Sequence, residues 1–333
     1  MAENVVIGVD IGGTKVAAGL VNTSGEILYR ARVPMNVLST ASVAMDCVHR
    51  AIQEVLEAQN GATASAIGVS SPGPLDPVGG LVLNAPNLPC WKNFPLRSEI
   101  QRTYGVPTRI DNDANAAGLA EALWGAAKDS KYVLYLTIGT GIGTAIVLDR
   151  RIYYGRTGAA AEGGHMTIDY RGAARCGCGK RGCIEGLASG PAIATSARER
   201  ATADLCLGAG ILTLAGGDPS AISAKTVFAA WSSGDPLATQ ILDEVAEALA
   251  VWFGNLIDMF EPEVIVMGGG VGTSLAPLFD RIRQRSQAWS VNPRASEIPV
   301  VLAKYGVDAG LAGSAALWLN ESGANVATLD ARE

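Results

Sequence analysis

The chain has 333 residues, of which 48% are hydrophobic and 17% are charged, and its mean hydropathy is +0.22. This composition excludes an intrinsically disordered chain and supplies enough apolar side chains for about two domains. The 26 lysines and arginines against 32 aspartates and glutamates give a net charge of −6. Because nucleic-acid binding needs a basic surface, we expect no nucleic-acid partner.

Neither a membrane span nor a secretory signal is expected. No uninterrupted run of about 18 apolar residues occurs, and the N-terminus lacks a basic region followed by an apolar stretch and a cleavage site. We therefore expect a cytoplasmic protein that does not cross a membrane.

The chain opens with a predicted β-hairpin whose turn is rich in glycine. The apolar run Val5–Val9 leads through Asp10-Ile-Gly-Gly-Thr-Lys15 into a second apolar run, Val16–Val21. The elements predicted next are a strand over 26–33, a helix over 41–58, strands over 66–70 and 109–111, and a helix over 114–127.

The opening pattern then recurs. Leu136-Thr-Ile-Gly-Thr-Gly141 repeats the Val9–Thr14 segment and is again followed by an apolar strand, Gly143–Leu148. The recurrence predicts a duplicated α/β domain. The remaining predictions are a helix over 236–260, a strand over 264–267, a helix over 275–287, a strand over 300–304 and a helix over 310–319.

Glycine turns of this kind suit phosphate binding. Without Cβ atoms, the backbone N–H groups of Asp10–Lys15 and Gly139–Gly143 are able to converge on an anion, and an adjacent Asp could hold a Mg²⁺-bound water. The alternative is an ordinary hairpin turn. A Walker A loop is missing, and the second turn has neither the spacing nor the following helix of a dinucleotide-binding motif.

A polar cluster, Asp111-Asn-Asp-Ala-Asn115, follows a predicted strand. A carboxylate there could accept a proton from an alcohol that the neighbouring amide orients. Asp and Asn are also the preferred N-cap residues of helices, so a helix cap is the structural alternative.

Three of the six cysteines, Cys176, Cys178 and Cys183, lie within eight positions of one another, downstream of His165. Three thiolates and one imidazole complete a tetrahedral Zn²⁺ site with no open position, which makes such a zinc structural. Free thiols or a disulfide are the alternatives.

Two acids flank this cluster, Glu162 before His165 and Glu185 after Cys183. Paired carboxylates suit a polyhydroxyl ligand because each accepts hydroxyl hydrogen bonds, although solvated surface acids also fit the pattern. The glycines Gly268–Gly270 follow a buried strand and favour either a nucleoside site or a sharp turn.

Together these motifs resemble the ROK family of sugar kinases and repressors, and most closely its bacterial ATP-dependent glucokinases. The resemblance is carried by six segments that occur in order: Asp10–Lys15, Pro72–Pro74, Asn112–Asn115, Gly139–Gly143, Glu162–His165 and Cys176–Glu185. It covers the chain from about Val5 to Leu319.

The resemblance implies an actin-like ATPase fold, in which two ribonuclease-H-like α/β domains lie around a cleft. The N-terminal domain would comprise 1–113 and be completed by a C-terminal helix at about 310–333. The larger domain would comprise 114–309 and contain the zinc-binding loop, 165–185.

The resemblance also implies the roles of individual residues. Asp113 is the expected catalytic base. The expected sugar ligands are Asn87, Asn112, Glu162, His165 and Glu185. The expected nucleotide-binding residues are Asp10, Gly12, Gly13, Thr14, Lys15, Gly139, Thr140, Gly141, Gly268, Gly269 and Gly270. The expected zinc ligands are His165, Cys176, Cys178 and Cys183.

The expected reaction is transfer of the γ-phosphoryl group of ATP, with Mg²⁺, to the 6-hydroxyl of glucose or a related hexose, in a homodimer or homotetramer. An N-acetylhexosamine kinase or a broad-specificity hexose kinase is the alternative within the family. A non-catalytic sugar-sensing regulator is the alternative from another class. It predicts a missing base or damaged phosphate loops, whereas both motifs are intact here.

Overall fold

The computed structural model describes residues 5–58, 64–172 and 174–319, over which strands and helices alternate. The strands are β1 (Val5–Ile11), β2 (Lys15–Asn22), β3 (Ile27–Pro34), β4 (Ala64–Ser71), β5 (Leu75–Asp76), β6 (Leu81–Val82), β7 (Thr108–Asn112), β8 (Tyr132–Ile138), β9 (Ile142–Leu148), β10 (Arg151–Ile152), β11 (Val264–Gly268) and β12 (Val300–Leu302). The helices are α1 (Ala41–Glu57), α2 (Leu96–Tyr104), α3 (Asp113–Trp124), α4 (Glu185–Ala188), α5 (Gly190–Ala203), α6 (Ala209–Leu214), α7 (Ala224–Ser232), α8 (Pro236–Phe260), α9 (Gly270–Ser274), α10 (Phe279–Ser286) and α11 (Ala309–Leu319).

The first sheet has the strand order β3-β2-β1-β4-β7. Its first three strands pair antiparallel, whereas β4 pairs parallel with both β1 and β7. Parallel pairing brings the carboxyl ends of β1, β4 and β7 to one edge of the sheet, where ligands usually bind in α/β folds. Asp10 and Asn112 lie at this edge.

The second sheet has the order β10-β9-β8-β11-β12. Numbered by their place in the chain, the strands of both sheets follow the order third, second, first, fourth, fifth. The same order in both sheets is what the repeated Gly-rich hairpin predicts for a duplicated α/β unit. The α/β fold class is confirmed.

The chain divides into two compact units. One contains the described residues within 1–135, 145–161 and 303–333; the other contains those within 136–144 and 162–302. The expected domain boundary between 113 and 114 stays a prediction. Of the expected C-terminal helix, residues 320–333 lie outside the described part of the chain.

In the first unit, α11 packs against β1 and β4 without intervening side chains. An ideal Cβ on Gly8 would lie 2.2 Å from the carbonyl oxygen of Leu311, and one on Gly68 would lie 1.8 Å from that of Ser314. The Ser314 hydroxyl donates to the Val9 carbonyl at 2.7 Å. Glycines at two neighbouring strand positions therefore let the helix backbone approach the sheet backbone.

Two helix predictions were wrong in their bounds. The helix predicted over 275–287 begins only at Phe279, and Ala276–Leu278 form a short 3-10 turn before it. This turn contains Pro277, and a proline disfavours the α conformation of the residue that precedes it. The helix predicted over 114–127 ends at Trp124, where Gly125 forms its C-cap.

Among the helices of the described residues, none combines the length and the apolar character that a membrane span requires.

Replacing Gly68 with alanine should destabilise the first unit by more than about 3 kcal/mol, because the added methyl would collide with rigid helix backbone. The control is Gly105→Ala, whose Cβ would meet nothing within 4 Å but whose φ of +67° carries the cost of a left-handed conformation, about 1 kcal/mol. Denaturant unfolding of both variants measures the difference. Equal losses in the two variants would contradict the packing argument.

Candidate functional site

The first Gly-rich turn joins β1 to β2. The Gly12 amide donates to the Lys15 carbonyl at 2.9 Å, and the Thr14 and Lys15 side chains are exposed. An ideal Cβ on Gly13 would lie 3.3 Å from the Asn87 carbonyl oxygen, so the loop that carries Asn87 packs directly on this turn. The turn thus presents exposed polar groups next to a predicted sugar-side residue.

Asp10 lies near the end of β1, just before this turn, and its carboxylate is tightly enclosed. Ser70 donates to Oδ1 at 3.0 Å. An ideal Cβ on Gly310, in the first turn of α11, would lie 2.2 Å from Asp10 Cγ, so only glycine leaves room for the carboxylate. Burial raises the pKa of Asp10, and the Ser70 hydroxyl and the Lys15 charge oppose that rise.

Asn112 and Asp113 lie at the junction between β7 and α3. Asn112 Oδ1 accepts from the amides of Ala114 and Asn115 at 2.9 and 3.4 Å, which makes Asn112 the N-cap of α3. Its Nδ2 points the other way, 3.4 Å from where a Cβ on Gly73 would stand. The Asp113 side chain occupies the first helical position and is exposed.

The predicted helix cap and the predicted sugar ligand are compatible at Asn112. Capping uses only the amide oxygen, and a side-chain amide also offers two donors on nitrogen. The cap fixes the direction of Asn112, and with it the start of α3 that presents Asp113 to solvent.

Asp111 belongs to the polar cluster 111–115 but was given no role of its own from sequence, and Tyr154 was assigned none. Asp111 is buried, and Tyr154 Oη donates to its Oδ2 at 2.5 Å. Burial raises the pKa of Asp111 to about 6. The two residues are far apart in the chain, so only the position of Asp111 beside Asn112 could have drawn attention to it.

The second Gly-rich turn, between β8 and β9, lies in the second unit with the predicted adenosine turn. The Gly139 amide donates to the Gly141 carbonyl at 2.9 Å, and Thr140 is exposed. The Gly190 amide at the start of α5 donates to the Gly139 carbonyl at 2.8 Å. Gly269 has a φ of +79°, and a Cβ there would lie 2.3 Å from the Ile138 carbonyl oxygen.

These contacts place Gly268–Gly270 against the end of β8, next to the Gly139–Gly143 turn. Two segments that sequence reasoning assigned to one nucleotide are therefore adjacent in the fold, together with the amino end of α5. Backbone amides at a helix start and at glycine turns generally favour binding of anions.

The predicted zinc ligands form one cluster. One ligand atom from each of His165, Cys176, Cys178 and Cys183 lies within 4.8 Å of all the others. The distance between Cys178 Sγ and Cys183 Sγ is 3.8 Å, and Cys176 Sγ lies 3.4 Å from His165 Nδ1.

These separations fit a tetrahedral zinc site. Zn–S bonds of about 2.3 Å at tetrahedral angles put two sulfurs about 3.8 Å apart. A disulfide needs about 2.05 Å between sulfurs, and all six cysteines of the chain are unpaired. Of the alternatives open from sequence, the disulfide is therefore wrong, and the donor set is one that suits zinc.

The loop that carries the cysteines is tied to the His165 segment by the backbone. The Ile184 amide donates to the Met166 carbonyl at 3.0 Å and the Ile168 amide to the Gly182 carbonyl at 2.8 Å. Lys180 Nζ donates to the His165 carbonyl at 2.7 Å. The cluster thus rests on two paired segments rather than on a free loop.

The two nitrogens of His165 face different groups. Nδ1 faces Cys176 in the cluster, whereas Nε2 lies 4.0 Å from Glu162 Oε2. The Glu162 side chain is 69% exposed and the His165 side chain is 33% exposed.

Glu185 connects the cluster to the second Gly-rich turn. Its Oε2 accepts from the Ile142 amide at 2.9 Å, and its Oε1 lies 3.2 Å from Cys176 Sγ and 3.9 Å from His165 Nδ1. A movement of the cysteine loop would therefore move Glu185, the residue that begins α4.

A cavity of about 830 Å³ opens beside Glu185 in the second unit. Thr140 and Cys176 line it on one side, and residues of α5 and α8 line the other. Its volume falls within the range of about 300–1,000 Å³ typical of small-molecule sites. It borders residues that sequence reasoning assigned to phosphate, metal and sugar.

Comparison with known proteins finds sugar kinases among those to which the chain is similar. The chain is 34% identical to a glucokinase of Thermotoga maritima over 94% of this chain and 96% of that protein. It is 32% identical to an N-acetylmannosamine kinase of Citrobacter koseri over 93% and 97% of the two chains.

Among solved structures, it resembles a ROK family glucokinase from Streptomyces griseus in complex with glucose and AMPPNP, with 35% identity, a TM-score of 0.81 and coverage of 94% and 99%. The expected actin-like ATPase fold is therefore confirmed. The profile of the ROK family matches residues 6–321, and the chain belongs to this family.

Proposed function

We propose that this chain, a sugar kinase of the ROK family, transfers the γ-phosphoryl group of ATP to the 6-hydroxyl of glucose. The observation that carries the proposal is the exposed Asp113 carboxylate at the carboxyl end of β7, next to the Asn112 amide. A carboxylate in that place is suited to accept the hydroxyl proton while a neighbouring amide orients the sugar. The similarity to glucokinases over nearly the whole chain supports glucose as the acceptor.

On the sugar side, we assign hydroxyl binding to Asn112, Glu162, His165 and Glu185, with Asn87 as a further ligand. Asn112 Nδ2 and His165 Nε2–H are donors, whereas the two glutamates are acceptors. The mixture suits a sugar, because each hydroxyl is both a donor and an acceptor. As the O6–P bond forms and the bond between Pγ and the bridging oxygen breaks, the proton of the 6-hydroxyl passes to Asp113 and ADP leaves.

On the phosphate side, we assign the two Gly-rich turns and the Gly268–Gly270 turn to ATP. Catalysis of phosphoryl transfer depends chiefly on positioning and on neutralising charge. Backbone amides of the turns and the Lys15 ammonium would supply part of that charge. Asp10 would hold the hydration shell of the Mg²⁺ ion that accompanies ATP.

Zinc, when bound, would supply structural support and no chemistry of the reaction. His165 Nδ1 and the three cysteine sulfurs would hold it. A neutral imidazole that binds metal through Nδ1 keeps its proton on Nε2, so the metal would also fix the tautomer that donates to the sugar.

A cytoplasmic location and a homodimer or homotetramer belong to the same proposal.

An N-acetylhexosamine kinase is the second candidate. It is favoured by the 32% identity to an N-acetylmannosamine kinase. The two candidates share the base and the phosphate turns and differ only in the acceptor sugar. Comparison of kcat/KM for glucose and for N-acetylmannosamine separates them; a non-catalytic regulator would form ADP with neither.

Asp113→Asn should lower kcat for glucose phosphorylation by about 10²–10⁴-fold, because the amide keeps the shape of the side chain but accepts no proton. Glucose affinity, measured by calorimetry, should stay within about threefold of wild type. The control is Asp129→Asn, an exposed acid elsewhere on the same unit. A variant that keeps more than about a tenth of the wild-type kcat contradicts the assigned role.

Freshly purified protein should contain about one zinc per chain, since the four-ligand set is closed. Elemental analysis measures this directly. Cys178→Ser should lose most of the metal, whereas Cys206→Ser, which changes an exposed cysteine outside the cluster, should keep it. Active wild-type protein without zinc would refute the site.

Loss of zinc should weaken glucose binding before ATP binding. The cluster supports His165 and Glu185, and outer supports of this kind typically matter by about 10–100-fold. We therefore expect Cys178→Ser to raise the KM for glucose by this factor and the KM for ATP by less. Circular dichroism and a thermal melt verify that the variant is folded. A folded variant with a normal KM for glucose and a raised KM for ATP would reverse the assignment of the two sets of residues.

A further inference from the structure

A buried carboxylate that the proposed reaction does not use lies two residues before Asp113. The Asp111 side chain is 1% exposed. Its Oδ2 accepts from Tyr154 Oη at 2.5 Å. Its Oδ1 accepts from the backbone N–H of Asn112 at 2.6 Å and from the side-chain Nδ2 of Asn115 at 3.0 Å. Three donors therefore converge on one carboxylate that has no access to water.

The three donors come from the segments that determine how Asp113 is presented. Asn112 is the N-cap of α3, and Asn115 lies in the first turn of that helix. Tyr154 follows β10 and belongs to the same compact unit. Asp111 thus ties the end of β7, the start of α3 and the segment after β10 together at one point.

We propose that Asp111 and Tyr154 are positioning residues, which hold the junction of β7 and α3 so that Asn112 meets the sugar hydroxyl and Asp113 accepts its proton. The proposal rests on the base assigned to Asp113 under the proposed function. Neither side chain is assigned contact with substrate; both act through the backbone conformation of residues 112–115.

The cost of the buried charge argues that it does more than fill space. Burial raises the pKa of Asp111 from 3.8 to about 6, so the folded protein binds this proton more tightly than the unfolded chain. The free energy of unfolding therefore falls as the pH rises from about 4 to about 6, and the full cost applies at neutral pH. Stability alone would favour a neutral residue here.

The ionised form accepts from all three donors, whereas a protonated carboxyl would bring a hydrogen of its own into the cluster that needs a further acceptor. Among the residues that the structure describes, no positively charged side chain bonds to the Asp111 carboxylate in place of these three donors. Arg109, on the same strand, is engaged with α11, where it donates to the Leu317 carbonyl at 2.6 Å and lies over the Trp318 ring. Across the sheet, Asp111 on β7 is paired with Ser70 on β4, and Ser70 is paired with Asp10 on β1. Helix α11 has no ionisable side chain.

The test is Tyr154→Phe, which removes one hydroxyl and keeps the ring. Tyr153→Phe is the matched control, because the neighbouring tyrosine is 47% exposed. The kcat and KM of wild type and both variants are measured with ATP and glucose between about pH 5 and pH 9, the range around the expected titration.

For Tyr154→Phe we expect kcat to fall about tenfold at pH 7, with the KM for glucose within about threefold of wild type. The acidic limb of the kcat profile should move to higher pH, since a carboxylate that loses a donor binds its proton more tightly. Because Asp111→Asn removes the carboxylate, the part of the acidic limb of the kcat profile that comes from its titration should be absent in this variant. Adding Tyr154→Phe to Asp111→Asn should cause little further loss, because both changes break the same contact.

A second readout does not depend on activity. Amide hydrogen exchange of the peptide covering 109–117 should become faster in Tyr154→Phe and remain unchanged in Tyr153→Phe. If Tyr154→Phe only lowers the melting temperature and leaves kcat, the acidic limb and this exchange like the control, the residue is structural and the proposal is overturned.

The two proposals fail in different ways. A wild-type protein that forms no sugar phosphate refutes the proposed function. Hydrogen exchange alone then decides the positioning proposal, and unchanged exchange of the peptide 109–117 in Tyr154→Phe overturns it. An active wild type with an unaffected Tyr154→Phe variant refutes only the positioning proposal.

Discussion

The close approach of α11 to the first sheet is the constraint on which the first unit, with the proposed base Asp113, depends. Gly8 and Gly68 remove the side chains that would separate helix from strands, and Gly313 does the same between α11 and α3, where a Cβ would lie 2.4 Å from the Ala116 carbonyl carbon. One helix therefore sets the depth of Asp10, which is predicted to lie on the phosphate side, through Gly310, and also sets the position of α3, which presents Asp113. Larger side chains at these contacts would displace both groups together.

The second unit achieves rigidity by another route. Its predicted sugar-side residues, Glu162, His165 and Glu185, lie on short loops rather than within long elements, and loops alone hold side chains loosely. Paired backbone segments hold these loops together, and the four-ligand cluster would add to this support when it binds a metal. Glu185 extends the support to the Gly139–Gly143 turn through the Ile142 amide. The first unit uses packed backbone, and the second uses a metal-type cluster, to fix small sets of polar side chains.

Much of this arrangement could be predicted from sequence because its signals are local. Alternating apolar residues and glycine turns reveal β1, β2, β8 and β9, and spacing alone brings the cysteines and His165 into one cluster. The contact between Asp111 and Tyr154 could not be predicted, since it joins residues from different elements and no periodic pattern marks either one. The start of α10 was missed because the helical pattern continues through Ala276–Leu278, which form a 3-10 turn instead. The helices α5, α6 and α7 were not predicted, although α5 places Gly190 against the Gly139 turn.

A competition assay tests most directly whether the chain phosphorylates glucose. Purified protein is incubated with Mg-ATP and an equimolar mixture of glucose, mannose, N-acetylglucosamine and N-acetylmannosamine, and the sugar phosphates are identified by mass spectrometry and ³¹P NMR. We expect glucose 6-phosphate to be the main product and to form in step with ADP. A mixture in which an N-acetylhexosamine phosphate dominates, or in which no sugar phosphate forms, would contradict it.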